Sequence, residues 1–453
     1  MRTRLLLLSP WAYDTAFKTR VVDGDLYGLW AHAISQGIDV LAVDGQHRVV
    51  AYPDLEQVVA EYEPDAVLAH LWTADNYGEV LEAQCRHLAQ IRQATGVPVV
   101  AWGYLAVTAA EDILDAGAAD AIKVPGGFRL APLPSPRVRQ LVADGTPVSD
   151  LLAADVTGFA SLRLLPARAF DHVDAQTTFS VRASRGCRAR CSFCSYNADV
   201  GRGWYARDLT DVVDDMAAVL ERTELRRLAL SDADFGGSER ECLQRAHDLR
   251  SELEQRGIAG EAPIALATRP TTLSGRALEH LAAAGVDTIL IGVETLDMDA
   301  LHGVFAKRHG RHSLPDLAAI ADRVGVNLVA SYILWHPWQT IAGLRRELDE
   351  IVAFGRHRVP QFLTRSVLQV QPGTPIEGRL AATGRLVAAP FHRSFCFEDT
   401  AVAGLYDELS AWYRSNVDPA LSTVHEDQDG AYDTLARLKL GELAHLQALL
   451  DHA

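Results

Sequence analysis

Three cysteines stand within eight residues of the segment "SRGCRARCSFCS", Ser184 to Ser195, in a chain that has only six cysteines. Thiolates bind zinc and iron-sulfur clusters, and a closed site of either kind takes four ligands. Zinc would require a fourth cysteine or histidine at regular spacing, and the neighbouring sequence offers none. Three thiolates on a [4Fe-4S] cluster leave one iron without a protein ligand. Cys187, Cys191 and Cys194 therefore predict a cluster with one iron open to a substrate or cofactor.

Charged side chains follow three later apolar runs. Asp232 and Asp234 follow "RRLALS", Arg269 follows "PIALAT", and Glu294 ends "TILIGVE". The active sites of parallel β/α barrels lie at the carboxyl ends of the strands, where these residues would stand. The simpler alternatives are that the aspartates cap the next helix and that the arginine is a structural ion-pair partner.

Two stretches of alternating apolar runs and amphipathic segments must position these residues. The first, from Thr3 to Gly127, contains five apolar runs and predicts a doubly wound, Rossmann-like parallel sheet. The second, from Thr178 to about Gln371, contains six candidate strands, the last being "FLTRSVLQV", and predicts a partial (β/α)6 barrel. The predicted α/β chain thus has domains at 1–127 and 178–378, a linker with one short helix at 128–177, and a helical region at 379–453.

The cysteine spacing, three residues and then two, resembles the signature of the radical S-adenosylmethionine (SAM) superfamily. The resemblance implies that the amino and carboxylate groups of SAM chelate the open iron, and that one electron from the cluster cleaves SAM to a 5'-deoxyadenosyl radical. It also implies that Phe193, just before the last cysteine, packs near the adenine.

The strand ends resemble the same superfamily residue by residue. The implied SAM contacts are the polar residues of "LALSDADF", "LATRP" and "LIGVET", together with one glutamine in "VLQVQPGTPIEG": Asp232, Asp234, Arg269, Glu294 and Gln369. One segment departs from the pattern, because "LWHPWQT" stands where relatives have small residues. Trp335 and His336 are therefore candidates for a substrate wall, with a core role as the alternative.

The first stretch resembles the five-stranded domain that precedes the radical SAM barrel in cobalamin-dependent relatives. The resemblance implies that residues at its strand ends contact the corrin and the nucleotide tail, and the candidates are Ser9, Trp11, Tyr27, Gly28, Thr73, Gly103, Tyr104 and Gly126. The run that supplies an axial histidine in methionine synthase is absent, since Asp44 and His47 have the wrong spacing. The expectation is a lower cobalt face with water or no strong ligand.

Composition excludes some partners. A net charge of -16 argues against nucleic acid, whose phosphates require a basic surface, and against an anionic membrane. The apolar run Leu5 to Leu8 is shorter than the ~7–15 residues of a signal-peptide core. Together with the scattered remaining cysteines, this predicts a cytoplasmic chain with a small-molecule substrate.

The resulting prediction is a cobalamin-dependent radical SAM methyltransferase that methylates an unactivated carbon of a small molecule, in natural-product and antibiotic biosynthesis. Its cofactors would be a [4Fe-4S] cluster, SAM and cobalamin, and its reductant a flavodoxin or ferredoxin. A rearrangement or oxidation without methyl transfer uses the same motifs and stays open. A non-catalytic sensor and a transfer-RNA methylthiotransferase fit less well, the latter because the chain is acidic and has no second cysteine cluster.

Overall fold

The computed structural model describes residues 3–10, 20–45, 52–71, 78–153, 160–196, 198, 203–308, 310, 312–424 and 431–452. Strands and helices alternate through most of these ranges. The strands are β1 (Arg4–Ser9), β2 (Arg20–Val22), β3 (Asp39–Asp44), β4 (Ala66–His70), β5 (Val99–Trp102), β6 (Ala121–Val124), β7 (Gly127–Leu130), β8 (Thr177–Val181), β9 (Ser184–Gly186), β10 (Trp204–Ala206), β11 (Arg227–Leu230), β12 (Ile264–Thr268), β13 (Val286–Glu294), β14 (Asn327–Tyr332), β15 (Leu386–Ala389) and β16 (His392–Phe395). The helices are α1 (Gly24–Ser35), α2 (Tyr52–Tyr62), α3 (Glu79–Thr95), α4 (Tyr104–Thr108), α5 (Ala110–Asp115), α6 (Pro136–Leu141), α7 (Pro147–Ala153), α8 (Leu209–Leu220), α9 (Glu239–Gln255), α10 (Gly275–Ala283), α11 (Met298–Gly303), α12 (Leu314–Val324), α13 (Ile341–Phe354), α14 (Pro375–Ala382), α15 (Thr400–Asn416), α16 (Asp418–Val424) and α17 (Ala431–His452).

The first sheet has the order β3-β1-β4-β5-β6-β7, and all its neighbours are parallel except β6 and β7. Its inner strands are apolar throughout, as strands with helices on both faces require; β1, for example, is the run "RLLLLS" with five of six residues buried. The strand order reverses at β1 and β4, which is the switch point where such sheets bind ligands. This part of the α/β prediction is confirmed.

The second sheet is parallel, with the order β14-β13-β12-β11-β8-β2. Its sixth strand, β2, comes from the amino-terminal segment and pairs with β8, a crossover that the sequence does not predict. Gly24 begins α1 directly against β8, where a Cβ would lie 2.1 Å from the carbonyl oxygen of Ser180. The Ser180 hydroxyl donates to the Val22 carbonyl at 2.6 Å, so the two halves of the chain share one sheet at this edge.

The predicted sixth barrel strand is wrong. Residues 361–371 form a short 3-10 turn, Leu363–Arg365, and a single bridge between Trp335 and Val367 rather than a strand. Prolines at 360 and 372 bound this segment, and proline cannot donate to a strand ladder. In the described part of the chain the second sheet is therefore open rather than a closed barrel.

The region after residue 378 contains more than the predicted helices. An antiparallel hairpin, β15 and β16, precedes α15, α16 and α17. It packs through the buried ring of Phe391 on the core of the first sheet and its helices, which we call the amino-terminal half. The linker likewise holds two helices, α6 and α7, where one was predicted.

No helix among the described residues is both long enough and apolar enough to cross a membrane.

Candidate functional site

The cysteine loop leaves β8 and is held at both ends. On the near side, β9 pairs antiparallel with β10. On the far side, the backbone N–H of Ser192 donates to the Phe305 carbonyl at 2.9 Å, and its hydroxyl donates to the Val304 carbonyl at 2.6 Å. The N–H of Ile376 donates to the Ser192 carbonyl at 2.9 Å. These bonds place the three cysteines beyond the carboxyl ends of the second sheet.

The three thiol positions are compatible with a [4Fe-4S] cluster. Among the residues that the structure describes, no three cysteine, histidine or acidic side chains converge on one metal position. A [4Fe-4S] cluster binds each thiolate at a separate iron, so its ligands need not converge. Burial raises the pKa of Cys187 and Cys191, so iron must displace the thiol protons on binding. Backbone N–H groups of Ala189 and Tyr196 point at the sulfurs of Cys187 and Cys194, each at 3.4 Å.

The two predicted aspartates bind different partners near the cysteine loop. Oδ1 of Asp232 accepts hydrogen bonds from the N–H groups of Ala183 and Ser184, at 2.9 and 2.7 Å, just before the cysteines. Its Oδ2 is buried without a hydrogen-bond partner among the described residues, and burial raises its pKa. The Asp234 carboxylate is fully buried and accepts a hydrogen bond from Nε of Arg269 at 2.7 Å. Arg269 is therefore a structural ion-pair partner, which was the alternative to its predicted contact with SAM.

Glu294 occupies a strained position at the end of β13. Its φ of +66° is rare for residues other than glycine, and such strain concentrates at functional sites. Its Oε1 lies 2.5 Å from Nζ of Lys307, and both side chains are less than a tenth exposed. The sequence did not predict Lys307 as a site residue. It lies in the irregular segment "GVFAKRHG", where no pattern indicates that its side chain pairs with Glu294.

A cavity of about 360 Å³ opens in front of the cysteine loop. We call it the reaction chamber. Its lining combines the loop, the ends of the barrel strands and one residue of the amino-terminal half: Tyr104, Phe193, Cys194, Ser195, Tyr196, Glu294, Ser331, Tyr332, Ile333, Gln361, Arg365, Val367, Gln369 and Gln371. Three predicted SAM contacts, Phe193, Glu294 and Gln369, therefore line one cavity, whereas Asp232, Asp234 and Arg269 are not among its lining residues.

The amino-terminal half meets the chamber through two stacked rings. Tyr104 begins α4 after β5, and its ring stacks on that of Tyr196, two residues beyond Cys194, at 4.8 Å between centroids. Gly103, with φ of +99°, precedes Tyr104 and packs closely on the end of β4, where a Cβ would lie 2.5 Å from the Leu71 carbonyl oxygen. The predicted positions 103 and 104 thus lie beside the cysteine loop.

Two polar atoms at strand ends of the first sheet are buried without described partners. They are Oγ of Ser9, which ends β1, and Nε1 of Trp102, which ends β5. Because buried polar groups are ordinarily hydrogen-bonded, orphans at a sheet's ligand-binding edge fit a ligand with polar groups. Sequence reasoning found Ser9 and missed Trp102.

A buried polar network lies at the same edge. Nδ1 of His70, which ends β4, lies 2.6 Å from Oδ2 of Asp23, and the His70 ring stacks on Trp102 at 3.7 Å. The N–H of Asp23 donates to Oδ2 of Asp44. Sequence reasoning missed His70, because a histidine in an apolar strand resembles a core residue.

Three predicted cobalamin contacts lie elsewhere, and two fall outside the described residues. Tyr27 and Gly28 are buried inside α1, where the tyrosine ring packs on Phe170 and Phe179 and its hydroxyl bonds His172. Gly126, with φ of +80°, makes the tight turn between β6 and β7. The structure thus gives these three residues packing and turn roles. Trp11 and Thr73 are the predicted contacts outside the described residues.

The predicted substrate wall also needs correction. Trp335 is fully buried, donates from Nε1 to the Leu363 carbonyl at 2.9 Å and packs on Tyr406. His336 is 2% exposed and meets the Phe305 ring edge-on. Neither ring nitrogen has a partner among the described residues, and burial lowers its pKa to about 4. Both residues are core, because the chain turns inward after β14 to reach the bridge at Val367.

Known proteins resemble this chain both in the segment that carries the cysteine loop and over longer stretches. Residues 181–336 match the model of the radical SAM superfamily. The hopanoid C-2 methylase of Rhodopseudomonas palustris is 27% identical over 216 residues, which cover 46% of this chain and 38% of that protein. An uncharacterized methyltransferase of Pyrococcus horikoshii is 21% identical over 194 residues, covering 43% and 40%. The chain thus spans about two fifths of the length of these curated relatives.

Two solved enzymes share the fold over most of both chains. The radical SAM methyltransferase TsrM from Kitasatospora setae, solved with cobalamin and a [4Fe-4S] cluster, superposes with a TM-score of 0.64 at 16% identity, over 84% of this chain and 78% of that one. The cobalamin-dependent SAM radical enzyme OxsB superposes with a TM-score of 0.69 at 13% identity, over 98% and 72%.

Residues 181–336 therefore match the predicted radical SAM domain, and the chain shares the fold of these two cobalamin-dependent radical SAM enzymes. TsrM was solved with cobalamin and a [4Fe-4S] cluster, and OxsB with cobalamin and SAM, which are the cofactors that the sequence predicts for this chain.

Proposed function

We propose that the chain is a cobalamin-dependent radical SAM methyltransferase that methylates an unactivated carbon of a small molecule in natural-product biosynthesis. The observation that carries the proposal is the position of the cysteine loop between the two halves. Cys194 lines the reaction chamber, and Tyr196, two residues later, stacks on Tyr104 at the strand ends of the first sheet.

The residues present fit the three groups. Three cysteines suit a [4Fe-4S] cluster, and the chamber beside them offers Glu294 and a buried acceptor, Oε1 of Gln361, which has no partner among the described residues. The orphaned atoms of Ser9 and Trp102 suit the polar periphery of cobalamin. When bound, the cluster and SAM supply a 5'-deoxyadenosyl radical, and cobalamin supplies a methyl group.

The protein's own contribution is positioning and protection. Asp232 fixes the backbone ahead of the cysteines, and the Lys307 pair holds the Glu294 carboxylate in one orientation at the chamber wall. Phe193, Tyr196 and Tyr104 cover the loop with aromatic surface, which limits water near a reactive radical.

The test begins with anaerobic reconstitution using iron, sulfide and hydroxocobalamin, followed by desalting and quantification of both metals. We expect about four irons and one cobalt per chain, as a [4Fe-4S] cluster and one corrin require. Turnover with a flavodoxin or ferredoxin reductant and SAM deuterated at its methyl group should then give 5'-deoxyadenosine and a deuterated methyl in the product. Deoxyadenosine without methyl transfer would favour a rearrangement or oxidation, and iron without cobalt would contradict the proposal.

A further inference from the structure

A second cavity, of about 520 Å³, adjoins the reaction chamber. We call it the hairpin groove, because one of its walls is the β15–β16 hairpin. The two cavities share four lining residues, Arg365, Val367, Gln369 and Gln371. The segment that carries them is therefore a common wall with the chamber on one side and the groove on the other.

The hairpin that forms the outer wall is anchored to the amino-terminal half. Phe391 is buried in the core of that half, and Arg393 lies 3.2 Å from Glu377 and 3.9 Å from Asp112. These contacts hold the hairpin in place opposite the shared wall. The space between the hairpin and that wall is the groove.

The groove has a preorganised aromatic side. The rings of Phe395 and Phe397 meet edge-on at 5.2 Å, and Phe397 lies 5.6 Å from Tyr406. Trp335 packs behind both Phe397 and Tyr406. Aromatic walls of this kind bind flat apolar groups at little cost in conformational entropy.

Arg365 places a positive charge at the junction. It is exposed, lines both cavities, and lies over the ring of Tyr413 at 5.0 Å, which orients it. No carboxylate of the described residues lies within ion-pair distance of it, and the Asp418 carboxylate acts on it from further away. The other charged residue on the chamber lining, Glu294, is already paired with Lys307.

From this arrangement we infer, building on the proposed function, that the substrate is an aromatic carboxylic acid that enters through the hairpin groove. Its carboxylate binds Arg365 at the mouth of the chamber, and its ring packs on Phe395, Phe397 and Tyr406. Guanidinium is the side chain best suited to hold a carboxylate by paired hydrogen bonds.

Binding of a matched pair of probes tests the inference. Indole-3-propionate and indole-3-propionamide have the same shape and differ in charge, and calorimetric titration of each into the reconstituted full chain measures their dissociation constants. We expect the acid to bind about tenfold more tightly than the amide, as one charge-assisted contact predicts. Arg365→Gln should abolish this preference, and Arg365→Lys should keep part of it.

Two controls separate a specific contact from general effects. Arg393→Gln removes an equal charge from the same groove, but Arg393 is already neutralised by Glu377, so the preference for the acid should remain. Phe395→Ala should weaken both probes alike. Equal binding of acid and amide, a preference that survives in Arg365→Gln, or no binding of the acid would each overturn the inference.

The substrate inference and the proposed function are tested by different measurements, so failure of one can be told from failure of the other. Cleavage of SAM to 5'-deoxyadenosine by the unmodified reconstituted chain, under strong reductant and without substrate, measures the proposed function separately from the binding of the two probes. Loss of the acid preference with intact cleavage supports the inference, whereas absent cobalt or cleavage in the unmodified chain refutes the proposed function alone.

Discussion

The two halves of the molecule differ in how some polar groups at their strand ends are satisfied, although each half contains both paired and unpaired groups. In the barrel half, which carries the second sheet, Asp234 and Glu294 form ion pairs with Arg269 and Lys307, while Oδ2 of Asp232 has no partner among the described residues. In the amino-terminal half, Ser9 and Trp102 bury polar atoms that have no partner in the described part of the chain.

The difference shows which site is complete before its ligand arrives. Buried ion pairs hold the barrel site in shape, although removing either partner leaves an uncompensated charge. Orphaned hydrogen-bonding atoms carry a desolvation cost until a ligand satisfies them. We therefore expect the barrel half to tolerate loss of its cofactors better than the amino-terminal half.

The largest expected effect comes from the cysteine loop. Cys191→Ala removes one of three thiolates, so we expect iron content to fall to a small fraction and deoxyadenosine formation to cease. Cobalt binding should persist, since the two sites use different strand ends. Cys396→Ser is the matched control, because that thiol is exposed and outside the loop, and it should leave the iron content unchanged. Joint loss of iron and cobalt would show that the two sites are not independent.

Breaking the Lys307 pair tests how far the barrel site depends on ion pairing. Lys307→Met strands the buried Glu294 carboxylate, which should lower the free energy of unfolding by about 3 to 5 kcal/mol. Denaturant unfolding followed by circular dichroism measures the change. The double variant Lys307→Met, Glu294→Gln should recover part of the loss, because the unpaired charge is gone. A single variant as stable as the parent would mean that water already reaches Glu294.

The buried His336 predicts a pH dependence in the barrel half. Burial lowers its pKa to about 4, so the folded chain binds this proton less readily than the unfolded chain, whose histidine titrates near 6.5. The contribution of neutral His336 to the free energy of unfolding should be fully present above pH 6.5. The free energy of unfolding should then fall by about 2 to 3 kcal/mol as the pH drops to 4.

The change to His336→Leu isolates this contribution. Its unfolding free energy should exceed that of the parent increasingly as the pH falls from 6.5 to 4, measured by urea titration at each pH. The exposed His392, changed to Gln, should follow the parent curve. A constant difference between His336→Leu and the parent across this range would exclude the histidine as the titrating group.

The smallest expected effect concerns the orphaned hydroxyl of the amino-terminal half. Ser9→Ala removes one hydrogen bond to the ligand, which should weaken hydroxocobalamin binding about fivefold, measured by spectral titration. The apoprotein should be unchanged or slightly more stable, because a buried unsatisfied group is lost. Weaker binding accompanied by a less stable apoprotein would instead indicate that Ser9 serves the fold.

Much of the site was predictable because its signals are local. The three cysteines, Phe193 and Glu294 lie beside strands whose apolar pattern is unambiguous, and the structure brings Cys194, Phe193 and Glu294 to one cavity. Lys307 and Arg365 were not predictable. Each acts through residues that are distant in the sequence, and neither segment has a period.

Three of the predicted contacts occupy core positions in the structure. Tyr27 was predicted with the glycine-containing strand ends that would face the corrin, and Trp335 and His336 were predicted as a substrate wall because they replace small residues of relatives. The structure buries them, because β2 crosses to the second sheet and the chain turns inward after β14. Both crossings depend on long-range pairing, which no local pattern records.

The sequence by itself therefore determined the α/β class, the three-cysteine loop and the order of the two halves, because apolar periodicity and motif spacing are properties of neighbouring residues. Only the tertiary structure decided which polar groups are paired and which are exposed to a cavity. It also decided that a hairpin from the carboxyl-terminal region completes a groove beside the chamber. Pairing and exposure depend on distances between side chains that folding brings together, and those distances are not encoded in spacing along the chain.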